Sequence, residues 1–216
     1  MEWENMNYWI AMAGVVAFAV TAVLAVSPNN IDVFGACVMG IITAIGGGTI
    51  RDVILDVPVF WAVDLNYIWV AIGASLAAFA ANSLFTRKEI FRLMLYLDAI
   101  GVALFSIQAA NKVWAQNFGR PLAPVIMGII TAIGGGLIRD VLAGRQTLLM
   151  TRELYAIPVM IGCTCFAMLL EWLPQYRGVS MFGCGLFIFA MRAAVIRWDL
   201  SMPECLTTRP KKTNGQ

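Results

Sequence analysis

The chain has 216 residues, 60% of them hydrophobic and 13% charged, with a mean hydropathy of +0.78. A soluble domain of that size carries about 25% charged residues, so the composition excludes one and predicts a protein embedded in a lipid bilayer. The net charge of +2 points to no nucleic-acid partner, and the absence of histidine removes the usual zinc and haem patterns.

Seven apolar segments follow in chain order, at about 8–26, 33–55, 66–86, 91–111, 122–142, 154–173 and 179–197. Each approaches the roughly 20 residues that cross a bilayer. The first has Glu2 and Glu4 ahead of it and no basic residue, so it reads as a retained span and not a cleaved signal. The second and fifth each contain a glycine triplet and end in Arg-Asp. The joints carry turn and charge signals such as "SPNNID", "DVPVFWAVD" and "NFGRP". Cys37, Cys163, Cys165, Cys184 and Cys205 lie mostly in apolar runs without a C-x-x-C, and read as small buried hydrophobes. Trp61, Trp69, Trp114, Trp172 and Trp198 fall near segment ends, where aromatic belts form. The chain thus reads as one transmembrane domain over 1–200 and a polar tail, 201–216, whose end "RPKKTNGQ" reads as disordered.

The stretch "MGIITAIGGGTIRD" at 39–52 recurs as "MGIITAIGGGLIRD" at 127–140, differing only at Thr49 and Leu137. With one residue of slippage Gly14 and Phe18 fall on Gly101 and Phe105, and Tyr67 falls on Tyr155 at the motif's own offset. The segments therefore form two three-helix repeats, about 8–86 and about 91–173, followed by a seventh helix at about 179–197. Three is odd, so the second repeat enters the membrane from the opposite face and the pair is inverted. One face then holds four basic residues, Arg51, Lys112, Arg120 and Arg177. The other holds the remaining eleven of the 15, from Arg87 to Lys212. The positive-inside rule puts the richer face and the carboxyl terminus in the cytoplasm, and the amino terminus outside.

Each glycine in a helix interior costs about 1 kcal/mol relative to alanine, so the two triplets forfeit roughly 6 kcal/mol. Close packing of small residues offsets such a loss, and Gly40 and Gly128 extend a smooth face towards each triplet. The favoured expectation is a break in both helices at Gly46, Gly47, Gly48 and at Gly134, Gly135, Gly136, because three adjacent glycines point all round a helix. Irregular backbone at membrane depth lines a wet cavity or is buried in protein. Freed carbonyls there, with the hydroxyls of Thr43, Thr49 and Thr131, can replace part of a cation's hydration shell.

Arg51-Asp52 and Arg139-Asp140 follow the triplets. Neighbouring helical residues do not face each other, which argues against an ion pair within each dipeptide and for arginines that reach the two interfaces. An intramembrane acid is expensive without a partner, and Asp98 lies at a depth compatible with Arg139, so an Asp98–Arg139 contact is expected. The matching place in the first segment is Ala11 or a neighbour. Arg51 must find a different partner or meet water.

A doubled GGGxxRD on the second and fifth of seven spans resembles prokaryotic members of the trimeric intracellular cation channel (TRIC) family, whose domain also appears in bacterial inner-membrane proteins labelled glycine transporters. The resemblance covers essentially the whole chain. It implies a homotrimer in a prokaryotic inner membrane, each subunit with its own pore passing monovalent cations, chiefly potassium. The glycines of both triplets become kink residues of the pore-lining helices, with Arg51, Asp52, Arg139 and Asp140 completing the motif. Animal members carry a lysine-bearing motif at the first triplet and bind a phosphoinositide. This chain keeps glycines there, so that lipid is not expected. No cofactor is expected either, only permeant K+ or Na+. The alternative reading is a secondary transporter of a small solute such as glycine, which broken helices in inverted repeats also suit. An enzyme is not expected, because neither triplet is followed by the lysine and hydroxyl of a phosphate-binding loop.

Overall fold

The computed structural model describes residues 2–81, 87–151 and 153–203, the side chains of 2–6 and 87 excepted. Arg152, the joint residues 82–86 and the tail from 204 onward, with Cys205 and the basic residues of "RPKKTNGQ", lie outside the described residues. The described chain is helical, with eight α-helices: α1 (Glu2–Val26), α2 (Val33–Ile54), α3 (Phe60–Val63), α4 (Asn66–Ala81), α5 (Arg87–Ala115), α6 (Leu122–Leu142), α7 (Ala156–Trp172) and α8 (Arg177–Trp198). This is one helix more than the seven segments of the sequence. The extra element, α3, is four residues long and too short to leave a periodic trace. α1, α2, α5, α6 and α8 are long and apolar enough to cross a bilayer, while α4 and α7 are shorter apolar helices of 16 and 17 residues. The chain is an integral membrane protein.

Local chemistry ends the elements. Asp32 caps α2, its Oδ1 accepting from the Gly35 amide at 2.7 Å. At the far end the chain turns sharply. The Val57 amide reaches the Asp52 carbonyl at 3.1 Å and the Asp56 amide the Val53 carbonyl at 3.2 Å, with Asp56 at φ 53°. That is the six-to-one closure of a Schellman turn. α6 ends the same way: Arg145 N–H to Asp140 O at 2.9 Å, Gly144 N–H to Val141 O at 3.1 Å, and Gly144 at φ 65°. A glycine adopts that backbone freely, whereas Asp56 is one of few residue types that tolerate it.

The two halves make matching contacts. The rings of Phe18 and Phe105 stack at 5.4 Å and 3°. A Cβ on Gly14 would strike Phe105 at 2.8 Å, and one on Gly101 would strike Phe18 at 2.9 Å. Residue numbers therefore rise on α1 as they fall on α5, so these two central helices run antiparallel. Gly40 takes Ser75 of α4 against its bare face, and Gly128 takes Cys163 of α7. The core runs continuously through this centre, from Val15 and Phe18 to Val102, Phe105 and Phe166. Trp69, Trp172 and Trp198 are exposed on the outside, as belt residues are, but Trp114 is buried at 7% exposure with the Arg120 guanidinium 4.4 Å from its ring.

Candidate functional site: a glycine crossing between two arginine–aspartate centres

Helices α2 and α6 cross where the triplets lie, and the helices do not break. Helical structure is continuous through Gly46, Gly47, Gly48 and through Gly134, Gly135, Gly136. This corrects the expectation of two interrupted helices, and the reason is steric. A Cβ on Gly47 would collide with the Thr131 carbonyl oxygen, and one on Gly135 with the Thr43 carbonyl oxygen. The Gly134 position would come within 3.3 Å of the Gly47 Cα. The triplets let two antiparallel backbones touch, and contact over that area offsets the lost helix propensity. The remaining triplet residues serve other neighbours: Gly46 faces the Ile138 tip at 2.8 Å, Gly48 the Phe60 ring at 2.5 Å, and Gly136 the Tyr155 hydroxyl at 3.1 Å. All three sides of each helix are close-packed, which is why all three residues are glycine.

Thr43 and Thr131 are buried in the crossing at 0% and 2% exposure, and neither hydroxyl has a hydrogen-bond partner among the described residues. Thr49 lies nearly two turns beyond Thr43 and is occupied. Its hydroxyl donates to the Ile45 carbonyl at 2.8 Å and accepts from the Trp61 indole at 2.9 Å, which ties α3 to α2. Trp61 is therefore a tertiary tie as well as an end residue.

The Arg-Asp pairs form two centres at opposite ends of α1 and α5. Contrary to the expectation from helical geometry, each arginine bonds its own neighbour. Arg51 Nε donates to Asp52 Oδ1 at 2.7 Å and Arg139 Nε to Asp140 Oδ1 at 2.9 Å. Adjacent Cβ atoms diverge, but an arginine stem is long enough to fold back around the helix. Each aspartate uses its second oxygen on the chain that returns from the Schellman turn. The Phe60 amide donates to Asp52 Oδ2 at 3.0 Å and the Leu148 amide to Asp140 Oδ2 at 3.2 Å, both eight residues on. The motif's acids are thus clamps on the following loop.

Beyond that shared plan the centres differ. Arg139 is fully buried. Its Nη1 donates to Asp98 Oδ1 and to Thr21 Oγ1, each at 2.9 Å. Asp98 Oδ2, Arg139 Nη2 and the Tyr155 hydroxyl complete the buried cluster, with Tyr155 set against the Asp98 carboxylate, and Arg192, also fully buried, lies 4.6 Å from the Tyr155 ring. No room for a water molecule remains beside Gly136, Asp140 and Tyr155. Arg51 instead lies under the Phe60 ring at 5.7 Å, and Lys112 Nζ donates to Asp52 Oδ1 at 2.7 Å. This centre opens onto a cavity of about 380 Å³ lined by Asn7, Ala11, Tyr67, Gln108 and Lys112 among others.

Thr21, Tyr155, Arg192 and Lys112 were not singled out as site residues from the sequence. Tyr155 was marked by its repeat partner Tyr67, and Lys112 by being a lone charge at the end of an apolar run. Thr21 and Arg192 leave no such signal.

Two interlocked copies of one helical unit, joined through a glycine crossing and closed at each end by an arginine–aspartate centre, define a polytopic membrane protein built by tandem duplication. A family model described as Glycine transporter matches residues 8–83 and again residues 95–171, one match on each copy. The chain belongs to this family, which includes the prokaryotic TRIC channels and the UPF0126 membrane proteins. It is 37% identical over 198 residues to the UPF0126 inner membrane protein YadS of Escherichia coli K12, across 91% of this chain and 94% of that protein. It is 36% identical to a UPF0126 membrane protein of Vibrio cholerae, across 95% and 85% of the two chains. A crystal structure of the TRIC trimeric intracellular cation channel orthologue from Rhodobacter sphaeroides superposes with a TM-score of 0.85 at 30% identity, across 91% of this chain and all of that one.

Proposed function

We propose that the protein is a cation channel of a prokaryotic inner membrane, permeable to potassium, with one pathway in each subunit of a homotrimer. The observation that carries this reading is the α2–α6 crossing: two backbones in contact with no side chain between them, and two buried, unpartnered threonine hydroxyls beside it. A crossing without interdigitated side chains resists lateral sliding least, and packed interfaces of this kind have discrete alternative arrangements. A small separation aligns Thr43 and Thr131 with neighbouring carbonyls as weak, multiple oxygen contacts, which is what conduction requires. Arg51-Asp52 and Arg139-Asp140 then flank the pathway at its two ends. Kinship supports the same reading, since the Rhodobacter sphaeroides neighbour is described as a trimeric cation channel. The two repeats have opposite membrane orientations in this reading, in keeping with their antiparallel contacts. The basic excess keeps the carboxyl terminus in the cytoplasm. No cofactor, nucleic acid or phosphoinositide has a part, and K+ or Na+ is the permeant species.

Purified protein in planar bilayers is expected to carry single-channel potassium current, with unitary conductance altered by Thr43→Val or Thr131→Val. Slow, saturable flux coupled to a gradient, with no unitary current, overturns the reading. A specific observation favours a second one. The Arg51 centre opens on a cavity while Asp98, Arg139, Asp140 and Tyr155 are all buried, the one-sided access of a secondary transporter, and the matching family model is described as a glycine transporter. Radiolabelled glycine uptake into liposomes, with and without a sodium or proton gradient, separates the two.

A further inference from the structure

The two arginine–aspartate centres are built to one plan, and one of them lacks a carboxylate. In the second half, Asp98 supplies an oxygen to Arg139 Nη1 at 2.9 Å. The offset that lays Gly14 and Phe18 on Gly101 and Phe105 lays Ala11 on Asp98. Where the carboxyl group should stand there is a methyl group, and Ala11 lines the cavity of about 380 Å³ into which Arg51 and Lys112 also face.

The donors at that place are underused. Arg51 gives only its Nε to a protein acceptor, at Asp52, so its Nη groups donate to no side chain or carbonyl among the described residues. Lys112 spends one of its three N–H bonds on the same Asp52 oxygen. Among the described residues two cations face one carboxylate, and every other residue lining the cavity is uncharged. A site where two cations with idle donors share one carboxylate, half enclosed by aromatic rings, attracts a small anion. Of the anions, a carboxylate matches the planar fork of a guanidinium in two-point contact. It also reproduces what Asp98 gives Arg139 in the sister centre.

We propose that this cavity is a binding site for a small carboxylate, whose oxygens take the place of the absent acid on α1 and bridge Arg51 Nη and Lys112 Nζ. The inference stands apart from conduction, because occupancy is read as binding and not as flux.

The test uses the purified full chain in detergent, titrated with sodium acetate, glycine, methylammonium chloride and sodium chloride at matched ionic strength, with thermal stability as the readout. Acetate and glycine are expected to raise the midpoint saturably, and methylammonium and chloride are not. Arg51→Gln is expected to weaken the acetate response at least tenfold, the scale of a lost charged hydrogen bond. Ala11→Asp supplies the carboxylate from the chain itself, so it is expected to raise the midpoint without ligand and to abolish the acetate response. Arg145→Gln, at the opposite end of α5, leaves binding unchanged. Equal responses to chloride and acetate, no saturable response in the unmodified protein, or an acetate response that survives Ala11→Asp overturns the proposal. The Ala11→Asp arm decides the matter if Arg51→Gln does not fold.

Discussion

At single residues the bare faces of Gly47 and Gly135 carry the strongest constraint. A methyl group there meets backbone carbonyls, which cannot rotate away, so Gly47→Ala and Gly135→Ala are each expected to destabilise by about 1–3 kcal/mol, the usual range for overpacking. Gly46→Ala meets only the flexible tip of Ile138, and Gly73→Ala meets nothing within 4 Å. The first is expected to be mild, and the second stabilising by up to about 1 kcal/mol, because alanine favours helix. Thermal midpoints of the four purified variants check the order. The Asp98–Arg139 pair belongs to the same scale. Asp98→Asn leaves a fully buried guanidinium short of one charge partner, and removing one member of a buried pair costs about 3–5 kcal/mol. Replacing Asp98 and Arg139 together by leucine and methionine also strips the buried Asp140 of its cation, so this variant is expected to cost at least as much as Asp98→Asn alone, measured the same way. The acid was legible in the sequence because a charge in an apolar run demands a partner. Its third companion, Thr21, was not, since threonines are unremarkable in a membrane helix.

For whole elements, the informative feature is the return of the loop after α2 and after α6. Each helix ends in a Schellman turn, and each following segment is hung from an aspartate eight residues back. Asp52→Asn and Asp140→Asn are expected to loosen α3 and the turn at Leu148–Met150 respectively, each costing about 1–3 kcal/mol for a weakened buried acceptor. Faster amide exchange at Phe60 and at Leu148 is the measurement, and unchanged exchange at both removes the clamp. The Arg-Asp motif read from sequence suggested chemistry for a pathway, and the structure gives its acids a local job first. Helical geometry misled for a simple reason. The rule that adjacent residues diverge concerns Cβ vectors, and arginine reaches well beyond its Cβ. α3 was missed because four residues carry no periodicity.

For the whole molecule, duplication organises everything. Reciprocal contacts at Phe18 and Phe105, at Gly47 and Thr131, and at Gly135 and Thr43 tie copy to copy. Changes at such a shared contact should therefore act on both halves together. The distribution of charge makes a separate prediction at this scale: a fluorescent protein fused at the carboxyl terminus is expected to mature in the cytoplasm, and a reporter requiring export is expected to be inactive there. Reversed results would invert the orientation drawn from the basic residues.

The sequence by itself determined the membrane class, the positions of the long helices, the duplication and the family, because hydropathy and repetition are properties of the chain read along its length. It also named Asp98 and Arg139 as partners, from depth and charge alone. Only the tertiary structure decided what the glycines do. A triplet is equally compatible with a broken helix and with a close crossing, and the choice depends on whether another backbone stands within reach. The same holds for the difference between the two centres. Ala11 and Asp98 are single letters in the sequence, and it takes the packed bundle to turn one into an open cavity and the other into a sealed ion pair.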